Sequence, residues 1–403
     1  MTTKESFLVH RLRTRLRRAS RSLLWLTPVF YLIEFFDELH YGLAGAALPA
    51  IRADLGLSYA QIGLLLGLPG LLNAFIEPGL MLLGDTPLRK RLVVGGGLAI
   101  VAALALTAGA HSLPPLLLAT VIAYPASGAF VSLAQATLID LHPNQENAKM
   151  ARWTAAGSLG ALAGPLALAG LFAAGVSWRW GYVALAGLAG ALTLGTALQR
   201  FPRRAQTAPI GRETPGALWE NLAAALRNRR LLRWIVLLQF ADLLLDVFTG
   251  YAALYFSDVA GLNPAQTALT LSLMLAAGLA GDLALVPLLA RFPGRRVVRV
   301  SAAISAALFA SLLLAPWTGV KIALATLVNF STLGWYAVLQ GEAYAAAPGR
   351  SGAVLALSSL GGALGGALVW LVGWTAGLVG LPAALWLLLL GPLALLVGVD
   401  EGR

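Results

Sequence analysis

The 403-residue sequence has no cysteine. Thiol catalysis, disulfides, iron–sulfur clusters and Cys-ligated zinc are therefore excluded. Charge is almost as scarce. Asp, Glu, Lys and Arg make up 12% of the chain, about half the ~25% usual in soluble proteins, so a soluble globule of this size would lack polar surface. Histidine is limited to His10, His40, His111 and His142, too scattered for a His-rich metal site. What fills the chain is apolar: 58% hydrophobic residues, with 44 Gly and 20 Pro. Such hydrophobicity excludes intrinsic disorder. A net charge of +11 would suggest nucleic acid on a soluble domain. Here the basic residues sit between apolar blocks, which points to a lipid bilayer and to no nucleic-acid partner.

A helical span needs about 20 mostly apolar residues. Twelve such runs are expected, at 23–51, 60–83, 92–110, 116–141, 150–174, 181–198, 231–257, 265–289, 297–316, 320–345, 353–372 and 381–399. They are too long and too evenly apolar for β-barrel strands. The sequence predicts an all-α membrane protein: a basic tail (1–22), a six-helix bundle (23–198), a linker (199–230) with an amphipathic stretch at 217–226, a second six-helix bundle (231–399) and a short C-terminus (400–403). Only Arg52, Arg179 and Lys321 fall in the loops after odd-numbered spans, leaving 26 of the 29 Lys and Arg residues for the other side. By the positive-inside rule both termini are cytoplasmic, in a multi-pass protein of a bacterial cytoplasmic membrane. Contact with anionic lipid suits the linker's basic residues. A monomer is expected.

The two bundles read as a duplication. At an offset of 205, Gly56-Leu57-Ser58-Tyr59-Ala60-Gln61 falls on Gly261-Leu262-Asn263-Pro264-Ala265-Gln266. In the same register Asp37 falls on Asp242, Glu77 on Asp282, and Gln135 on Gln340. Two parallel six-span repeats joined by a basic loop resemble the major facilitator superfamily. Its loop motif between spans two and three survives in part as Asp85 and Arg89-Lys90-Arg91, with Thr86 where Arg is usual and Leu88 where Gly is usual. Gly160, Gly164 and Pro165 in span five resemble the Gly-Pro motif of the superfamily's proton antiporters. Span one, from Phe35-Phe36-Asp37 to Leu64-Leu65, resembles the fosmidomycin-resistance type of drug:proton antiporter. The resemblance implies alternating access, spans one and seven facing each other across a central cavity, a cytoplasmic gate at Asp85 and Arg89, and a moving interface shaped by Gly160, Gly164 and Pro165. Span four lacks the intramembrane Arg common in those antiporters.

Ionisable groups at mid-membrane cost roughly 2.5–3.5 kcal/mol each on insertion scales, so they are functional candidates. Here they share one sign: Glu34, Asp37 and Glu38 in span one, Glu77 in span two, Asp242 and Asp246 in span seven, Asp282 in span eight and Glu342 in span ten. Glu34 and Glu38 are four apart, as are Asp242 and Asp246, so each pair shares a helix face. Carboxylates crowded in a low-dielectric cavity cannot all be ionised, which makes them proton carriers. A cation entering would expel their protons. His40, Gln135 and Gln340 complete the cavity candidates, and nearby aromatic residues such as Tyr41 could stack on an organic cation. With no Lys or Arg well inside any span, anionic cargo is disfavoured. Gly-rich stretches such as 157–170 bring helices close and need no nucleotide.

The sequence therefore reads as a proton-coupled exporter of a cationic or amphipathic small molecule, of the multidrug-efflux kind. It is not an enzyme and needs no cofactor, the proton gradient supplying energy. Asp37 and Asp242 exchange protons for cargo, assisted by Glu34, Asp246, Glu77 and Asp282. The open alternative is a divalent-cation exporter using Asp37, Glu38, His40, Asp242 and Asp246 as hard ligands. A facilitative uniporter and a transport-inactive membrane sensor remain further readings.

Overall fold

The computed structural model describes residues 3–84, 86–142, 145–199, 201, 226–347 and 351–399. They form twelve helices: α1 (Thr3–Leu55), α2 (Tyr59–Gly84), α3 (Arg89–Ala108), α4 (Leu113–Leu141), α5 (Glu146–Ala173), α6 (Trp178–Leu198), α7 (229–259), α8 (Pro264–Leu289), α9 (Gly294–Leu314), α10 (Thr318–Ala346), α11 (Ser351–Val379) and α12 (Leu381–Gly398). The amphipathic stretch expected at 217–226 lies almost wholly outside the described residues. Ten of the twelve are long and apolar enough to cross a bilayer. The other two, α1 and α7, are the helices that carry Glu34, Asp37 and Glu38, and Asp242, Asp246 and Asp258. At 53 residues, α1 would run roughly 80 Å at 1.5 Å per residue, so its basic N-terminal part reaches beyond any bilayer.

The duplicated hexapeptide has a physical explanation. Gly56 and Gly261 end α1 and α7 in the left-handed region, at φ 62° and 72°, which glycine adopts without a Cβ clash. Two residues later the next helix is capped in the same way. The Ser58 N–H donates to Gln61 Oε1 at 2.8 Å and the Gln61 N–H to Ser58 Oγ at 3.2 Å. In the second copy the Asn263 N–H donates to Gln266 Oε1 at 3.1 Å and the Gln266 N–H to Asn263 Oδ1 at 2.9 Å. This reciprocal pairing satisfies donors that a helix start leaves open.

Two helices are irregular at matched places. α4 winds as a π-helix over Gly128–Ser132. α10 breaks between Ser331 and Trp335, with Gly334 at φ 70°. Shifting 128 by the repeat offset gives 333, so the irregularity belongs to the duplicated unit.

The bundles meet along α2 with α11 and α5 with α8. The α2–α11 seam is glycine on glycine: a Cβ at Gly63 would strike Gly373, and one at Gly67 would strike Gly366. In lipid, association rests on such close packing rather than on hydrophobic burial. The seam runs from the α1–α2 turn to about Leu71, whose backbone lies against Gly366. Towards the other end of the pair, Gly79 and Gly362 have open space beside them. The bundles are thus closed against each other at the end opposite the chain termini, and the glycine contact of α2 with α11 does not continue to the terminal end. Gly67→Leu should cost about 1–3 kcal/mol, as overpacking does, and lower the melting temperature of the detergent-solubilised protein. Gly79→Leu, facing open space, should leave it unchanged.

Candidate functional site

The closed end is held by a cross-bundle cluster. Arg52 on α1 pairs with Asp258 on α7 at 2.8 Å, the Tyr59 hydroxyl donates to the same Asp258 oxygen at 2.8 Å, and the Arg52 guanidinium lies 4.2 Å from the Tyr59 ring centre. Below this seal α1, α4, α7 and α10 bring acids and phenols together. Asp246 on α7 is exposed. It lies within electrostatic reach of Glu38 on α1, Asp242 one turn earlier, Tyr124 on α4 and Tyr336 on α10. Tyr336 is 59% exposed although it sits mid-chain in a membrane helix. The Tyr41 and Tyr124 rings meet edge to face at 6.0 Å. Each bundle contributes an acid and a phenol, so the cluster exists only when the halves are together.

The other candidates point elsewhere. Asp37 is 8% exposed and accepts from the Ser127 hydroxyl on α4 at 2.9 and 3.1 Å. Its repeat partner Asp242 is half-buried and has no such donor among the described residues. The residue equivalent to Ser127 is Thr332, whose hydroxyl donates to its own helix at Asn329 O, 3.0 Å away. Sequence symmetry placed Asp37 and Asp242 alike, and this hydroxyl separates them. Glu34 turns towards α5, where it meets the Trp153 side chain and the glycine face at Gly157. Its charge still reaches Asp37 and Glu38.

His40 stacks among Phe36, Tyr41 and Tyr182, with ring centres 5.2–6.4 Å away. That places it in the α1–α6 packing. Among the described residues no three His, Asp or Glu side chains converge to hold a metal ion, so the set Asp37, Glu38, His40, Asp242 and Asp246 is not gathered for metal here. Gln135 is half-buried, and Gln340 Oε1 is enclosed without a hydrogen-bond partner among the described residues. Gly160 and Gly164 lie against the α1 backbone at Phe35 and Leu39, and Pro165 touches Gly42. The Gly-Pro motif therefore tightens a contact inside the first bundle instead of shaping the seam between bundles, because its small residues face α1 and not α8.

Residues 30–370 match the Major Facilitator Superfamily, which is most of the chain. The chain belongs to that superfamily. It is a multi-pass membrane transporter and not an enzyme, built as two pseudo-symmetric six-helix bundles. No curated protein matches it in sequence. Among solved structures, a bacterial homologue of the human lysosomal transporter Spinster, inward-facing and unoccupied, aligns with a TM-score of 0.68 at 18% identity, covering 94% of each chain. The nucleoside transporter NupG aligns with a TM-score of 0.72 at 14% identity, covering 95% of this chain and 100% of its own. At these identities the likeness is one of fold.

The expected gate residue Asp85 lies outside the described residues. Arg89, its expected partner, donates to Gly84 O at 2.6 Å and pairs with Asp140 on α4 at 2.6 Å. The second bundle repeats the arrangement, with Arg295 bidentate to Glu342 on α10 at 2.7 and 2.5 Å. Asp140 was not picked out from the sequence. The duplication gave no signal for it, since at the offset of 205 Asp140 falls on Ala345 and not on Glu342. Asp258, Ser127, Tyr124 and Tyr336 were missed as well, since each gains meaning only from a partner on a distant helix.

Proposed function

We propose that this transporter exports an organic, amphipathic cation in exchange for protons, by alternating access. The single observation behind this reading is the Glu38–Asp246–Asp242 cluster. Carboxylates from opposite bundles converge on one opening, aromatic rings stand beside them, and no Lys or Arg faces them among the described residues. Like charges this close are relieved either by protons or by a bound cation. A group that can hold one or the other, but not both, is what exchange requires. Tyr41, Tyr124 and Tyr336 offer faces and edges to an aromatic or alkylammonium cargo. Asp37 and Glu34 stand behind the cluster and share its charge. With the termini cytoplasmic, as the basic-residue count indicates, the opening faces the cytoplasm. The Arg52–Asp258 seal then closes the outer side, an arrangement ready to load cargo from within.

The test is flux in proteoliposomes loaded with a fluorescent lipophilic cation, with and without a pH gradient. Efflux should accelerate when the receiving side is acid. Flux that ignores the gradient would indicate a facilitative uniporter. Saturable transport of Mn²⁺ or Zn²⁺ with none of the organic cation would favour the divalent-cation reading.

A further inference from the structure

Two intramembrane acids stand apart from the cluster, Glu77 on α2 and its repeat partner Asp282 on α8. Each lies against the irregular turn of the neighbouring cavity helix. Glu77 accepts from Asn73 Nδ2 at 2.9 Å, and its carboxylate rests beside Gly128, where α4 becomes π-helical; a Cβ there would come 3.4 Å from Glu77 Oε1. Asp282 stands between Gly281 and Leu285, the residues of α8 that pack on Phe330 and on Gly334, where the second segment of α10 begins. The helices are pressed together around these points. A Cβ at Gly281 would come 2.6 Å from Phe330 O, and Leu285 fills the space beside Gly334. In the first bundle Gly70 lies against Tyr124, and Leu133 covers Gly84.

A π turn or a helix break frees backbone groups, and within a bilayer every such group must find a partner in the protein. The donors freed in α10 include the Gly334 N–H, and α8 carries a carboxylate at the face that packs on this break. A negative group also suits the start of a helix.

The two bends sit where the cavity is made. Ser127, which holds Asp37, immediately precedes the π turn of α4. Tyr336 follows the break in α10 by two residues. A change in the α4 bend therefore moves the donor that holds Asp37, and a change in the α10 bend moves Tyr336 of the acidic cluster.

We infer that Glu77 and Asp282 are positioning residues: their carboxyl oxygens clasp the bends of α4 and α10 and so aim Ser127 and Tyr336, and neither acid carries the transported proton. The inference stands on this matched geometry, although its transport readout presupposes the exchange proposed above.

An amide oxygen accepts the same hydrogen bond as a carboxylate oxygen but cannot titrate, so conservative variants separate clasp from carrier. Asp282→Asn and Glu77→Gln should keep gradient-driven efflux within about twofold and leave its pH profile in place, whereas Asp282→Leu and Glu77→Leu should lose roughly tenfold or more, the scale of an orphaned buried donor. Hydrogen exchange at the backbone amides of residues 333–336 gives a second readout that needs no transport. It should quicken in Asp282→Leu and stay at the wild-type rate in Asp282→Asn. Loss of coupled flux or a moved pH profile in Asp282→Asn, with those amides still protected, would make Asp282 a proton carrier and overturn the inference. So would unchanged exchange in Asp282→Leu. If the wild type shows no proton-coupled flux, the exchange reading fails, and amide exchange alone decides the clasp.

Discussion

Asp246→Asn is expected to cut gradient-driven efflux at least tenfold, and Glu38→Gln to do the same. The two acids come from different bundles and lie within reach of each other's charge. Either amide leaves the cavity shape almost unaltered but removes one negative charge, and with it the repulsion that a cation relieves. A tenfold loss corresponds to about 1.4 kcal/mol, within reach of a charge contact at a partly solvated opening. The sign with pH follows from competition. Protons and cargo seek the same oxygens, so the wild-type apparent affinity for cargo should fall as pH falls, by up to about tenfold per pH unit for each proton displaced. In Asp246→Asn that slope should flatten. Equilibrium binding of the fluorescent cation to solubilised protein between pH 5 and pH 8 would measure it. An unchanged slope in both variants would remove the pair from the exchange. Asp242→Asn should behave similarly, since Asp242 shares the Asp246 charge. Asp37→Asn should have the smaller effect, because an amide oxygen can still accept from Ser127.

The contrast between Asp37 and Asp242 shows where sequence reading reaches its limit. Span number, the duplication and the concentration of acid in the first and seventh helices are all legible, since hydropathy and offset are properties of single residues in order. The Gly-Leu-Ser-Tyr-Ala-Gln repeat was legible as a repeat, and its capping role follows from the side-chain oxygens at Ser58, Asn263, Gln61 and Gln266. What the order of residues hides is which way an acid turns. Ser127 and Thr332 differ by one methyl group, yet one hydroxyl reaches across to Asp37 and the other bonds back to its own helix. The π turn of α4 and the break of α10 are equally hidden. Gly128-Ala-Phe-Val-Ser132 follows Pro125 by three residues, which marks an irregular helix without telling its form, and Thr332-Leu-Gly334 has a glycine and no proline. Glu77 and Asp282 looked like cavity acids; only Pro78, next to Glu77, offered the other reading of an acid that bonds freed backbone groups, and nothing of the kind stands beside Asp282.

Asp258→Asn should shift the protein away from the conformation closed at the end opposite the termini, whereas Asp54→Asn should not. Both acids pair with an arginine at 2.8 Å near that end, and both pairs are partly exposed. The difference is topological. Arg179–Asp54 joins α6 to α1 within one bundle and stays intact as the bundles rock. Arg52–Asp258 spans the seam and must part. A partly exposed ion pair contributes only about 0.2–1 kcal/mol. The Tyr59 hydroxyl adds a hydrogen bond to a charged acceptor, worth about 1.5 kcal/mol or more. Together these amount to roughly 1.5–2.5 kcal/mol, a population shift of about 10- to 70-fold. Because the chain has no cysteine of its own, Ala53→Cys and Ser257→Cys can be labelled without background. The distance between the two labels then reports the seam. In Asp258→Asn its distribution should move to longer values, and the charge swap Arg52→Asp with Asp258→Arg should restore it in part. Equal distributions for Asp258→Asn and Asp54→Asn would show that glycine packing along α2 and α11 alone keeps that end shut.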